Sequence, residues 1–155
     1  MEKYSINEVS LIKNEKAIFP MMGEFHFSRC PEKEWEDEIR KMKACGMDII
    51  ATYVFWIHHE EEEGVFDFSG QRNLHRFLEL CEKWQMHVWL RIGPWAHGEA
   101  RNGGFPDWLM KKGYKLRSDD LDYLALVERF WKKIYKEVEG THCILGIQIE
   151  NRSEE

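Results

Sequence analysis

The sequence lacks the marks of several protein classes. Lys and Arg residues are scattered among the acids without a basic stripe or patch, and the formal net charge is -6, so nucleic acid is not expected as a partner. No apolar stretch approaches the roughly 20 residues that a membrane helix needs, so no membrane is expected either. The start, MEKYSINEVS, has no apolar core of the kind that a signal peptide carries.

Cysteine is also sparse. The four cysteines lie far apart with no C-x-x-C pair, so neither a disulfide framework nor a zinc site is expected. Three of them fall at helix or strand packing positions, which favours buried thiols in a reducing, cytoplasmic compartment. The cysteines are Cys30, Cys45, Cys81 and Cys143.

The composition is typical of one globular domain. Hydrophobic residues make up 43% and charged residues 32% of the 155 residues, which excludes disorder. No linker, low-complexity stretch or second domain is visible, so residues 1–155 are expected to form one domain. A complete (β/α)8 barrel needs about 250 residues, more than this chain has.

Strand and helix patterns alternate along the chain. The order β-α-β-α-β-α-β favours parallel strands with right-handed crossovers. The strand runs are nearly continuous in Val, Ile and Leu, so both faces of the sheet are expected to be buried. This pattern by itself fits either a small open α/β sheet or half of a barrel. The strands are predicted at 21–27, 48–55, 87–93 and 143–150, after a short hairpin around Asn14-Glu15-Lys16.

Helix signals lie between these strands. Pro31 suits the first turn of the first helix, and Gly46 ends that helix. Ser69 or Asp67 can cap the second helix, and Ser118 begins the third. The remaining predictions are a long loop at 94–117 with a helical turn at 106–110, and an apolar face on the third helix at Leu124, Val127, Phe130, Trp131, Ile134 and Val138.

Polar and aromatic groups follow three of the predicted strands. The segments TYVFW, GPWAHGE and IQIEN put carboxylate, amide and aromatic side chains just past an apolar run. The carboxyl ends of barrel strands are where a (β/α) barrel builds its active site. Glutamates and aromatics there suit a sugar, because carboxylates hold hydroxyl groups and flat rings stack on the pyranose face.

Two longer motifs carry a resemblance to a known family. They read TYVFWIHHEEEEGVFDFSG and LRIGPWAHGEARNGGFPDWL. In order and spacing, residues 12–151 resemble the amino-terminal half of the family-35 glycoside hydrolases, the β-galactosidase family. The resemblance implies a TIM (β/α)8-barrel fold, here about the first four β/α units. It also implies hydrolysis of terminal β-D-galactosides by retaining double displacement. No cofactor and no metal are expected.

The resemblance assigns sugar-binding roles residue by residue. Tyr53 matches the tyrosine that follows the second strand and contacts the sugar. Glu99 matches the glutamate that binds sugar hydroxyls, and Asn151 matches the asparagine that contacts the 2-hydroxyl. His97 and Gly98 stand in the stretch that lines the galactose pocket, where the family often has Cys-Ala.

These residues also have structural alternatives. Tyr53 fits a core aromatic whose hydroxyl finds a backbone partner, and Glu99 fits a solvated loop acid. The adjacent His58 and His59 point opposite ways on a strand or turn, so a metal site is not expected there. The acidic run at 60–63 is predicted to be a solvated turn that closes the loop after the second strand.

The end of the fourth strand departs from the family. The family has Glu-Asn-Glu, whose second Glu is the acid/base, and this chain has Glu150-Asn151-Arg152. Arg152 cannot donate the proton, because a guanidinium stays charged. Glu150 cannot take over, because two residues along a strand span roughly 6.6 Å, more than the about 5–5.5 Å between the two carboxyl groups of a retaining enzyme. The family's nucleophile comes from strand seven.

We therefore expect a truncated and inactive fragment, with no catalytic residue of its own, arising from a gene fragment or a frameshift. The alternative is a non-catalytic carbohydrate-binding or assembly half-barrel. The open edges and uncovered inner wall of such a half-barrel favour self-association.

Overall fold

The computed structural model describes residues 3–97 and 100–151, which form two β-sheets and five α-helices. In chain order the elements are β1 (Tyr4–Ile6), β2 (Leu11–Lys13), β3 (Lys16–Ile18), β4 (Met22–Glu24), α1 (Trp35–Ala44), β5 (Ile49–Tyr53), α2 (Trp56–His59), α3 (Leu74–Lys83), β6 (His87–Arg91), α4 (Asp107–Met110), α5 (Leu121–Val138) and β7 (Ile144–Gln148). No helix within these ranges is long and apolar enough to cross a membrane.

The first sheet is a small antiparallel one, in the order β1-β2-β3. Its β2–β3 hairpin turns at Asn14 and Glu15, whose φ angles are 48° and 67°. Positive φ at both central residues is what the favoured two-residue hairpin turn requires. The predicted hairpin is confirmed, and β1 is an additional strand that the sequence pattern did not indicate.

The second sheet carries the main architecture. Its order is β4-β5-β6-β7, and each neighbouring pair is parallel. The crossovers run through α1, α3 and α5. The predicted strand number, direction and order are therefore confirmed.

The three long helices cover one face of this sheet. Ile50, Val88 and Leu90 point to that face and belong to one apolar core with residues of α1, α3 and α5. Gly23 of β4 faces the same way, and a Cβ there would come within 2.8 Å of the Met42 side chain. We call this the outer face and the opposite one the inner face.

The inner face is covered only in part by the described residues. Met22 is 50% exposed, Glu24 is exposed, and Trp89 and Arg91 are half-buried. On β7, at the edge of the sheet, Ile147 is 53% exposed as well. The prediction that both faces are buried is therefore wrong for β4, β6 and β7. The physical reason is that the helices all pack on the outer face, while the short antiparallel sheet reaches only the amino end of the inner face.

The helix ends differ in detail from the predicted caps. The α3 cap is Asn73, whose side chain accepts a hydrogen bond from the Arg76 backbone N–H, and not Ser69 or Asp67. Asp67 instead accepts from Ser69, which precedes a separate 3-10 turn. The α5 cap is Asp120, two residues after the predicted start at Ser118.

The predicted apolar face of α5 is only partly correct. Val127, Phe130 and Ile134 are buried as predicted, whereas Leu124 is 42% exposed and Tyr123 takes the inward place. The helix begins later than predicted, but the buried positions Val127, Phe130 and Ile134 are the same. The difference is that Tyr123, at one edge of the apolar stripe, faces the core in place of Leu124.

The loop after β5 is held by a buried carboxylate. Glu60 is fully buried and accepts hydrogen bonds from Trp56 Nε1 at 2.6 Å and from the Gly64 backbone N–H at 2.7 Å. It also forms an ion pair with Arg129 of α5. The Trp108 indole of α4 donates to the Glu60 backbone carbonyl at 2.9 Å. The predicted solvated turn at 60–63 is therefore wrong for Glu60, although the three glutamates after it are exposed.

The neighbouring His59 is buried as a neutral ring. Its Nδ1 donates to the Asp67 carbonyl at 3.0 Å, and the ring stacks on Phe68 at a centroid distance of 4.5 Å. Burial lowers the pKa of His59 to about 4, because the charged form would lose its hydration.

Replacing Glu60 should destabilise the fold strongly. Glu60→Ala leaves the Trp56 and Gly64 donors and the Arg129 guanidinium without their acceptor, so we expect the free energy of unfolding to fall by about 3 kcal/mol. Urea denaturation followed by far-UV circular dichroism measures this loss. Glu62→Ala, at an exposed position of the same loop, should change the value by less than about 0.5 kcal/mol. Equal effects of the two substitutions would contradict the role of Glu60 in holding this loop.

Burial of His59 should make stability depend on pH. The folded-state pKa is about 4 and the ordinary value is 6.5, so the unfolded chain binds a proton more readily. Stability is fully present above about pH 6.5 and is lost as the pH falls toward 4, by up to about 3 kcal/mol. The free energy of unfolding, measured by urea titration, should fall less between pH 7 and pH 4.5 for the His59→Asn variant than for the unsubstituted chain. His75→Asn, at an exposed position, should follow the unsubstituted chain, and a parallel pH profile for His59→Asn would refute the assignment.

Candidate functional site

Tyr53 lies at the carboxyl end of β5, on the inner face. Its ring stacks on Phe55 at 5.2 Å and lies 5.3 Å from the His26 ring, and it is only 3% exposed. The Arg91 guanidinium sits 5.0 Å from the centre of the Tyr53 ring, from the end of the adjacent strand. Tyr53 belongs to a small cluster with Phe55 and Ala96 that is separate from the main core.

The loop after β6 is folded back onto this cluster. The Ala96 backbone N–H donates to the Gly103 carbonyl at 2.7 Å, and Ala96 is buried. His97 follows with a positive φ of 60°, and its ring lies 6.1 Å from the Trp95 ring in an edge-on arrangement. A Cβ at Gly103 would lie 2.0 Å from the Trp95 ring, so only glycine allows this close packing.

Asn151 reaches the same place from the end of β7. Its side-chain Nδ2 donates to the Ala96 carbonyl at 2.9 Å. Ala96 therefore connects the two predicted sugar-binding residues, since it lies in one buried cluster with Tyr53 and Phe55 and accepts from Asn151. His97 is the next residue in the chain.

Three predicted residues lie outside the described residues, namely Gly98, Glu99 and Arg152. The positions of Glu99 in the pocket and of Arg152 at the family's acid/base position remain predictions.

Two residues of this edge were missed by the sequence interpretation. Glu24 of β4 and Arg91 of β6 form an ion pair on the inner face. Burial lowers the pKa of Arg91, although the group stays cationic. The alternation of HVWLR, with Val88 and Leu90 buried, was the signal that puts Arg91 on the same side as Tyr53.

The two adjacent histidines have separate partners. His58 Nδ1 lies 2.9 Å from Ser28 Oγ, whereas His59 bonds the Asp67 carbonyl. The side chains therefore diverge, although both residues lie in helix α2 and not on the strand or turn that the prediction assumed. Among residues 3–97 and 100–151, no group of three or more His, Cys, Asp or Glu side chains is placed to hold a metal ion.

Comparison with known proteins points to one family. The sequence profile of glycosyl hydrolases family 35 matches residues 10–153. The β-galactosidase of Bos taurus is 41% identical over 146 residues, which cover 90% of this chain and 22% of that protein. The exo-beta-D-glucosaminidase of Pyrococcus horikoshii is 48% identical over 101 residues, which cover 63% of this chain and 13% of that protein. The chain thus spans less than a quarter of the length of these two relatives.

A solved structure supports the fold. The exo-beta-1,4-mannosidase from Opitutaceae bacterium strain TAV5 superposes with a TM-score of 0.71 at 17% identity, covering 87% of this chain and 25% of that chain. At this identity the likeness concerns the fold alone. Together with the parallel order of β4 to β7, it confirms the predicted class, an α/β fold of TIM-barrel type represented here by part of the barrel.

Proposed function

This chain belongs to glycosyl hydrolases family 35, and on that premise we propose that it supplies the sugar-binding half of a β-galactosidase-type site. The sugar is a terminal β-D-galactoside, held at the carboxyl ends of β4 to β7. Tyr53, His97, Gly98, Glu99 and Asn151 are its binding residues. No cofactor takes part.

One observation carries this proposal: at the carboxyl edge of a parallel sheet, Tyr53 shares a buried cluster with Ala96, and Asn151 bonds the Ala96 carbonyl. These residues are 98 positions apart in the chain and come from β5 and the end of β7. Carboxyl ends of parallel strands form the ligand-binding edge of a barrel. An asparagine amide has two N–H donors and a carbonyl acceptor, which together suit a sugar hydroxyl.

We further propose that this 155-residue chain does not hydrolyse the sugar by itself. A retaining enzyme needs two carboxyl groups about 5–5.5 Å apart, one as acid/base and one as nucleophile. Glu24 and Glu150 at this edge are both engaged in ion pairs, with Arg91 and Arg117 respectively. By the family resemblance Arg152 occupies the acid/base position, and a guanidinium does not release a proton at working pH.

A non-catalytic assembly role is the second candidate, favoured by the inner face, which the described residues cover only in part. A groove of about 630 Å³ lies between the antiparallel sheet and the amino end of the inner face. The lining of the groove is mainly apolar, and apolar side chains of the hairpin region are exposed as well. The apolar residues in the groove are Ile6, Leu11, Pro20, Met22, Ile49, Trp89 and Leu145, and the exposed ones of the hairpin region are Val9 and Phe19.

The proposed site predicts sugar binding without turnover. We expect saturation-transfer NMR to show weak binding of methyl β-D-galactoside, and Tyr53→Phe to weaken it by up to about tenfold through loss of a hydrogen bond. Release of 4-nitrophenol from the aryl β-D-galactoside should not exceed that of a mock preparation, and Arg152→Glu alone should not change this.

The controls separate binding, sugar identity and contamination. Tyr135→Phe, at an exposed position of α5, should leave galactoside affinity unchanged. Methyl β-D-glucosaminide tests the sugar type in the name of the relative from Pyrococcus horikoshii, and a clear preference for it would overturn the galactoside assignment. Turnover that Tyr53→Phe diminishes and Tyr135→Phe does not would overturn the claim of inactivity.

The exposed part of the inner face predicts self-association. Sedimentation velocity over a wide range of concentrations should show a rising mean mass, because exposed apolar surface and open sheet edges favour pairing. Met22→Lys, which puts a charge in the groove, should shift the distribution toward the monomer. Val65→Lys replaces an exposed apolar residue outside the groove and should not. A concentration-independent monomer would eliminate the assembly role.

A further inference from the structure

Glu150 occupies an unusual backbone position at the end of β7. Its φ is 60°, in the left-handed region that residues other than glycine rarely adopt. Its backbone N–H donates to the Gly93 carbonyl at 2.8 Å, so the turn is tied to the loop after β6. Such a conformation persists only where surrounding contacts fix it.

The side chain of Glu150 supplies two of those contacts. One carboxylate oxygen accepts from the Trp95 backbone N–H at 3.3 Å, and the other accepts from Arg117 Nε at 3.1 Å. The side chains of the ion pair are only 27% and 21% exposed, so the pair is partly shielded from water. One carboxylate thus joins the loop after β6 to the segment before α5.

Arg117 extends the connection to the sugar-binding residue. Its Nη2 donates to the Asn151 backbone carbonyl at 3.3 Å, and its guanidinium lies 4.9 Å from the centre of the Trp95 ring. A guanidinium can bond a carboxylate and a carbonyl at once because its donors form a planar fork. The Asn151 backbone is therefore held on one side by Arg117, while its side chain bonds Ala96 on the other.

We propose that the Glu150–Arg117 pair is a positioning device that sets the direction of the Asn151 side chain in the sugar site. The consequence for sugar binding rests on the proposed function, whereas the effect on Asn151 rests on the geometry alone. Neither member touches the reacting atoms. The pair fixes the Asn151 backbone and, through Trp95, the loop that presents the Ala96 carbonyl. One side-chain N–H of Asn151 donates to that carbonyl. Because the amide group is planar, this bond also sets the direction of the other N–H and of Oδ1.

The role makes Glu150 distinct from the catalytic carboxylates of the family. A carboxylate that accepts hydrogen bonds from a backbone N–H and from a guanidinium is held in a fixed orientation, which suits positioning. A merely structural ion pair would contribute to folding stability but would not govern the Asn151 side chain.

Two readouts on the full chain separate these roles. The first is hydrogen exchange of the Asn151 side-chain amide in ¹H–¹⁵N spectra, which needs no sugar. The second is the affinity for methyl β-D-galactoside. The variants are Glu150→Gln and Arg117→Lys, and the matched control is Glu128→Gln, which breaks the exposed Glu128–Lys132 pair.

Glu150→Gln should speed exchange of the Asn151 side-chain amide at least tenfold and weaken galactoside binding about fivefold. Arg117→Lys keeps the charge and should retain the pair with Glu150 but not the bond to the Asn151 carbonyl, giving an intermediate effect on both readouts. The double variant should be no worse than Glu150→Gln alone, because the two residues act as one unit. Glu128→Gln should leave both readouts unchanged.

The failures are distinguishable. If the exchange of the Asn151 side-chain amide is unaltered in Glu150→Gln, the positioning device is overturned, whatever the galactoside affinity. Absence of galactoside binding by the unsubstituted chain overturns the proposed function, and the exchange measurement then still decides whether the pair governs Asn151. If Glu150→Gln does not fold, Arg117→Lys decides, and exchange equal to that of the unsubstituted chain counts against the device.

Discussion

The packing of three helices on a single face of a parallel sheet is the constraint on which the rest of this structure depends. Because α1, α3 and α5 all return the chain in the same direction, β4 to β7 run in parallel and their carboxyl ends share one edge. The polar residues that follow the strands therefore gather at that edge. The same arrangement leaves the inner face without helices, so Tyr53, Glu24 and Arg91 stand on a wall that the described residues cover only in part.

Apolar packing forms the body of the fold, but polar anchors hold the loops at the edge. On the β5 side, buried Glu60 joins its own loop to α5 through Arg129. On the β7 side, Glu150 joins the loop after β6 to the segment before α5 through Arg117. Both are carboxylates bonded to a guanidinium and to a backbone N–H, an arrangement with enough direct bonds to offset the cost of removing the charge from water. Loops held in this way present side chains in fixed directions, which a binding site requires.

Membership in glycosyl hydrolases family 35 and the geometry of the edge address different questions. The family match covers residues 10–153 and identifies the kind of enzyme to which such a half-barrel is related. The geometry shows which residues of this chain come together, since Tyr53 shares a buried cluster with Ala96 and Asn151 bonds the Ala96 carbonyl. A site built this way can orient a sugar through hydrogen bonds while the chemistry needs a pair of closely spaced carboxyl groups. In the proposed function, binding and turnover are separable properties, and the residues of this chain bear mainly on the first.

The sequence by itself determined what depends on local pattern. Apolar, β-prone runs and period-3.6 hydrophobicity predicted the four parallel strands and their helices, and the segment around Asn14, Glu15 and Lys16 predicted the hairpin. The segment TYVFW placed Tyr53 near the carboxyl end of a strand, where β5 ends. What only the tertiary structure decided involves partners far apart in the chain. Glu60 looks like one of four solvated glutamates until Arg129, 69 positions later, is packed against it. Glu24 and Arg91 are 67 positions apart, and Glu150 and Arg117 are 33. The burial and direction of a charged side chain are set by such distant partners, because the cost of desolvating it is met only where the fold brings the opposite charge and the backbone donors together.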